Sequence, residues 1–162
     1  MKISQRSLIK LICMQSILAM SGSLYYSNFG DPVVDIMQGT LFSGDGLQPC
    51  TLCRWARILM YPIVWLSGMA LLRRKDDIIT YLKPIALVGI VLETYHYLLQ
   101  KTNRLDFLNF QAFCTKANPC AASQQVNYLW FITIPLLCLI AFSVIYILIV
   151  IYQRRAKKTL SV

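Results

Sequence analysis

The sequence predicts an all-α membrane protein, a bundle of four transmembrane helices, and three observations lead there. Of 162 residues, 57% are apolar and only 14% are charged, with a mean hydropathy of +0.55, whereas a soluble domain carries about a quarter charged residues. The apolar residues gather into four long segments. A hydrocarbon core about 30 Å thick takes roughly 20 helical residues to cross, so four spans and short loops use up the chain in a single integral membrane domain. The net charge of +9 is not spread as a nucleic-acid-binding face would be. It collects at the chain ends and in one mid-chain loop, as membrane topology signals do.

The first span covers about 8–26. Its charge-free run from Leu11 to Gly30 is longer than the apolar core of a signal peptide, so it is expected to be retained despite the small residues Ser21-Gly22-Ser23. The second span, about 52–72, holds Pro62, which is expected to kink it. The third, about 84–100, places Pro84 in a first helical turn and is interrupted by Glu93 and His96. The fourth, about 129–152, is the most apolar, with no charge between Lys116 and Arg154; Pro135 is expected to kink it.

Orientation follows from the basic residues. Eleven of the sixteen Lys and Arg precede the first span, join the second to the third, or follow the fourth; five lie on the other side. The positive-inside rule then places both termini in the cytoplasm. The loops at about 27–51 and 101–128 face outward. Residues 33–37 and 105–110 mix apolar anchors with single polar residues as interfacial segments do, and Tyr25, Tyr26, Trp55, Tyr128 and Trp130 form an outer aromatic belt.

The cysteines carry the chemistry. Cys50-Thr51-Leu52-Cys53 is a C-x-x-C at the outer mouth of the second span, and Cys114 and Cys120 form a C-x5-C in the second outward loop. Both pairs share the outward side, which in bacteria is the oxidising one. Cys13 and Cys138 sit inside apolar spans and read as small hydrophobes without a redox role. A helix N-terminus favours the thiolate, which is the attacking species. Arg57, four residues after Cys53, adds a fixed positive charge one turn down the same face. Arg54 stands in the same relation to Cys50, with snorkelling to the head groups as its equal alternative. The C-x5-C closes a short ring better suited to thiol exchange than to stapling.

Two dithiol pairs in a membrane suggest an electron relay, and its electrons need an acceptor. Haem and iron–sulfur ligand patterns are absent, as is a glycine-rich dinucleotide fingerprint, which leaves a lipid-soluble quinone. Glu93, His96 and Gln100 share one face of the third span, and an intramembrane ionisable residue is a functional hypothesis by default. His96 lies close to the level of the C-x-x-C and is placed to hydrogen-bond a quinone carbonyl or pass it protons, with Glu93 taking part or fixing the imidazole. A different reading is a structural zinc held by the four cysteines, although C-x5-C is an unusual half-site. A small transporter using Glu93 and His96 leaves the cysteine pairs without a task.

The motif Pro49-Cys50-Thr51-Leu52-Cys53, Arg57 and the run Ile58-Leu59-Met60-Tyr61-Pro62 resemble the first redox loop and second helix of the DsbB/BdbC disulfide bond formation family. Tyr95-His96-Tyr97-Leu98-Leu99-Gln100-Lys101 resembles the third helix of its BdbC branch. Cys114, Pro119-Cys120 and the run from Asn127 through Pro135 to Phe142 resemble that branch's second loop and last helix. The resemblance extends over most of residues 8–152. It implies a four-helix bundle that reoxidises an extracytoplasmic DsbA/BdbD-like thioredoxin-fold dithiol oxidase and passes electrons to quinone, ubiquinone or menaquinone, in the bacterial inner membrane. It implies redox-active disulfides Cys50–Cys53 and Cys114–Cys120, with Cys114 meeting the partner, Cys120 exchanging with Cys50, and Cys53 beside the quinone. Arg57 would stabilise quinone and thiolate, and His96 aligns with a histidine associated with quinone binding. Arg54-Trp55-Ala56 departs from the aromatic pair and Gln or Glu that the family often shows. A monomer is expected.

Overall fold

The computed structural model describes residues 4–29, 50–73, 77–102 and 133–160. The interfacial segments expected at 33–37 and 105–110, the belt residues Tyr128 and Trp130, and the pair Cys114 and Cys120 lie outside the described residues. The described chain forms four helices: α1 (Gln5–Phe29), α2 (Thr51–Arg73), α3 (Ile78–Thr102) and α4 (Ile134–Leu160). Each contains a stretch long and apolar enough to cross a membrane, and the protein is a multi-pass membrane protein.

Local sequence explains where the helices start. The Ser4 carbonyl accepts from the Leu8 N–H at 3.2 Å, the Cys50 carbonyl from Arg54 at 3.1 Å, the Asp77 carbonyl from Thr80 at 3.1 Å and the Thr133 carbonyl from Leu137 at 3.1 Å. Ser, Asp and Thr are favoured at such positions, although the buried Thr133 hydroxyl has no hydrogen-bond partner among the described residues.

Two expectations about proline are corrected. α3 begins at Ile78, six residues before Pro84, so Pro84 sits in the second turn and not the first. The carbonyl it leaves without a donor belongs to Thr80, an exposed residue of the first turn, so the omission is cheap. Pro135 is the second residue of α4, where no N–H is required and no kink follows. Pro62 does lie within α2.

Buried positions recur at helical spacing. They are Leu52, Ala56, Met60, Ile63, Ser67 and Ala70 on α2, and Ile79, Leu82, Ala86, Glu93, His96 and Leu99 on α3. Ile12 and Met20 of α1 and Phe142, Ile145 and Ile149 of α4 complete the core. The outer surface stays apolar: Leu72 is 83% exposed, Trp65 72% and Val91 64%, a surface that suits lipid and not water.

The helices close a ring in which α1 packs on α2, α2 on α3, α3 on α4 and α4 on α1. Neighbours run antiparallel. Arg57 near the start of α2 meets Ser23 near the end of α1, and Cys50 before α2 meets His96 near the end of α3. The start of α1 and the end of α4 therefore lie at one end of the bundle, and the α2 start lies at the other.

Candidate functional site

At that second end, Cys50 occupies the cap position of α2. Its carbonyl takes the first intrahelical bond from Arg54, and its Sγ accepts the Cys53 N–H at 3.3 Å. A sulfur thus fills the place that a Ser or Asp oxygen fills at other helix starts. The C-x-x-C spacing is what makes this possible, because the third helical residue carries the N–H that the cap must satisfy. Cys53 is that residue, and its Sγ lies 3.0 Å from that of Cys50. The pair stands as two thiols. The hydrogen bond from the Cys53 side chain, the largest influence, pulls Cys50 down from 9.0 to about 4; His96 and the Cys53 N–H pull the same way, and burial opposes them.

His96 comes from α3. Its Nε2 lies 3.6 Å from Cys50 Sγ, and its Nδ1 lies 3.5 Å from Glu93 Oε2. Both residues are buried, at 0% and 1% exposure. Among the described residues, neither Glu93 oxygen nor His96 Nδ1 has a hydrogen-bond partner.

Arg57 occupies a different side of α2. Its Nε donates to Ser23 Oγ at 2.8 Å and its Nη2 to the Ser23 carbonyl at 2.9 Å. These two hydrogen bonds to α1 fix the guanidinium at a half-open cavity of about 280 Å³ between α1, α2 and α4. Leu18, Met20, Met60 and Phe142 make most of its wall apolar, and Arg57 supplies a charge. None of Cys50, Cys53, Glu93 and His96 lines this cavity; Ala56 and Arg57, on the turn after Cys53, do. Arg54 and Trp55 are exposed, and Ala56 is buried.

The structure therefore brings Cys50, Cys53, Glu93 and His96 together and sets Arg57 at the adjoining cavity. Sequence reasoning missed Ser23, noted only as part of a small-residue triplet, and the place of Cys138, which lines the cavity with Arg57. Their signals were weak, because nothing local shows which neighbour a polar residue in an apolar helix meets.

An apolar cavity with a cation at its edge fits a quinone ring whose oxygens gain negative charge. A metal fits less well. Cys50, Cys53 and His96 present three donor atoms within 4.8 Å of one another, but sulfurs 3.0 Å apart fall short of the ~3.8 Å edge that Zn–S bonds of about 2.3 Å give a tetrahedron. These groups form a close pair of cysteines with an imidazole neighbour.

Comparison with known proteins adds a consistent picture. The chain is 34% identical over 155 residues, 94% of its length and 93% of the other, to a protein of Oceanobacillus iheyensis named probable disulfide formation protein. It is 35% identical over 132 residues, 82% of each chain, to disulfide bond formation protein C of Bacillus subtilis. It is 36% identical over 130 residues, 80% of each chain, to probable disulfide formation protein C 1 of Bacillus anthracis. No family model matches the chain, and no solved structure does.

Proposed function

The chain belongs to the DsbB/BdbC family of disulfide bond formation proteins and is a membrane thiol–disulfide oxidoreductase, and from that premise we propose that it reoxidises an extracytoplasmic thioredoxin-like dithiol oxidase and passes the electrons through its two cysteine pairs to membrane quinone. The observation that carries this reading is the reactive pair at the start of α2, next to an apolar cavity with Arg57 at its edge.

In this reading Cys114 forms the mixed disulfide with the partner, and Cys120 then attacks Cys50. The helix cap favours Cys50 as the sulfur that takes part in exchange, since it is released and attacks most readily as an anion. Cys53 faces the acceptor. Quinone supplies, when bound, a sink for two electrons and two protons. Arg57, held by Ser23, orients an acceptor oxygen and neutralises charge that develops there. The lining of Leu18, Met20 and Phe142 offers an apolar ring a matching surface. In this reading the end rich in Lys and Arg faces the cytoplasm of a bacterial cell, and the dithiol meets the oxidising side of its inner membrane. The protein works as a monomer.

The deciding experiment is quinone reduction by purified protein supplied with a reduced thioredoxin-like partner. Turnover should occur with both pairs intact and vanish in Cys53→Ser and in Cys114→Ser. Absence of turnover over a range of quinones and partners, with stoichiometric zinc in the purified protein, would overturn the proposal in favour of a structural four-cysteine site.

A further inference from the structure

The acid–base chemistry at Cys50 has an owner on α3. A thiol can attack only after losing its proton, and Cys50 is nearly sealed, at 3% exposure, so bulk water is a poor acceptor for that proton. His96 Nε2 stands 3.6 Å from the sulfur, and hydrogen bonds between catalytic groups are commonly long before the reacting complex forms. Behind the imidazole, Glu93 Oε2 lies 3.5 Å from Nδ1. Buried polar atoms without a hydrogen bond are costly, and among the described residues both Glu93 oxygens and His96 Nδ1 lack one short enough to count, with Oε2 and Nδ1 facing each other. A packed apolar interface would not keep them without a use. Their order, carboxyl to imidazole to thiol, is the order of a nucleophile, its base and the group that orients the base.

We propose that His96 is the general acid–base of the Cys50 thiol in exchange, with Glu93 as the positioning residue that fixes its tautomer.

Glu93 holds the proton at Nδ1, which leaves Nε2 free to accept. In the reduced protein the Cys50 S–H proton resides on Nε2, and the sulfur keeps the electron pair as a thiolate beside the imidazolium. No electron leaves the sulfur in this step. When a disulfide at Cys50 opens and Cys50 departs as a thiolate, the same imidazolium stabilises it or returns the proton. The inference rests on the exchange role proposed above for Cys50. Among the described residues, the other titratable groups within electrostatic reach are Cys53 on α2 and Cys138 on α4, with Tyr95 of α3 packed on the same cluster. Arg57 points to the far side of α2, toward Ser23.

His96 is the chain's one histidine, so isotope-labelled histidine gives a single imidazole whose protonation and tautomer nuclear magnetic resonance reads directly. The full-length protein, purified through a tag without histidine and placed in nanodiscs, is titrated in reduced form, in oxidised form and as Cys50→Ser. Neither quinone nor partner is present, so the result does not depend on turnover. Loss of the thiolate by either route is expected to move the ring's titration midpoint by about one pH unit or more, a tenfold change in its proton affinity. Glu93→Gln should change the tautomer ratio while Cys50 remains in place. Superimposable titrations in all three forms would overturn the proposal. So would a ring that ignores the state of Cys50 but responds when decylubiquinone is added to the oxidised protein, which would make His96 an acceptor ligand. Because the unsubstituted protein supplies the main comparison, misfolding of a variant cannot conceal the answer.

Discussion

A sulfur at a helix cap accepts the backbone N–H best as an anion, and Cys50 receives both that N–H and the Cys53 side chain. Its pKa near 4, far below 9.0, leaves it ionised across the whole interval between. In the reduced protein, the thiolate ultraviolet absorbance that disappears on Cys50→Ser should persist through neutral pH and be lost as the pH falls through about 4. By linkage, the stabilisation of the reduced fold from this thiolate is complete above 9.0 and is lost on the same descent. Ser23 acts on the other side of α2. Ser23→Ala removes the 2.8 Å bond to Nε and leaves the carbonyl bond to Nη2. Its cost to stability should stay within about 1.5 kcal/mol, measured by thermal unfolding, while a loosened guanidinium raises the KM for quinone several-fold and leaves exchange with the partner unchanged.

At the scale of helices, α3 and α4 approach closely because Gly89 has no side chain. A Cβ built there would lie 2.5 Å from the Phe142 ring, which is itself fully buried. Gly89→Ala should therefore destabilise the bundle by about 1–3 kcal/mol, the usual cost of overpacking, seen as a lower Tm in detergent, and Phe142→Leu in the same chain should recover part of the loss. The helices themselves were legible in the sequence, since long apolar stretches bounded by charge leave few alternatives. Their ends were not. The third begins at Ile78, just after the cap residue Asp77 and well before the span counted from residue 84, so helix and hydrocarbon span are different lengths. Pro135 was misjudged for the same reason, because a span counted from apolar residues started too early and pushed the proline inward.

For the whole molecule, the antiparallel ring puts the start of α1 and the end of α4 at one end and the dithiol at the other. Cysteine-labelling of intact cells, using a reagent that cannot cross the membrane, should modify a cysteine introduced at Ser43 and leave one introduced at Ser161 untouched. The reverse pattern would invert the orientation drawn from the basic residues. The candidate site was legible only in part. The C-x-x-C, Arg57, Glu93 and His96 stood out as types and spacings, and helical geometry placed them at one level. How far each helix is rotated about its own axis is set by tertiary packing. That rotation turns His96 toward Cys50 and Arg57 toward Ser23, so the partners of each residue lay beyond the reach of periodicity.

The separation of the two polar neighbourhoods has a consequence for how such a protein can diverge. The imidazole and carboxyl belong to α3, while the cavity wall belongs to α1, α2 and α4. Substitutions at Leu18, Met20 or Leu137 can therefore reshape what the cavity admits without touching the machinery that handles the thiol. Lineages living with different membrane lipids can retune one half and inherit the other intact, and a chimera exchanging those wall positions between relatives should swap acceptor preference while keeping the same thiol.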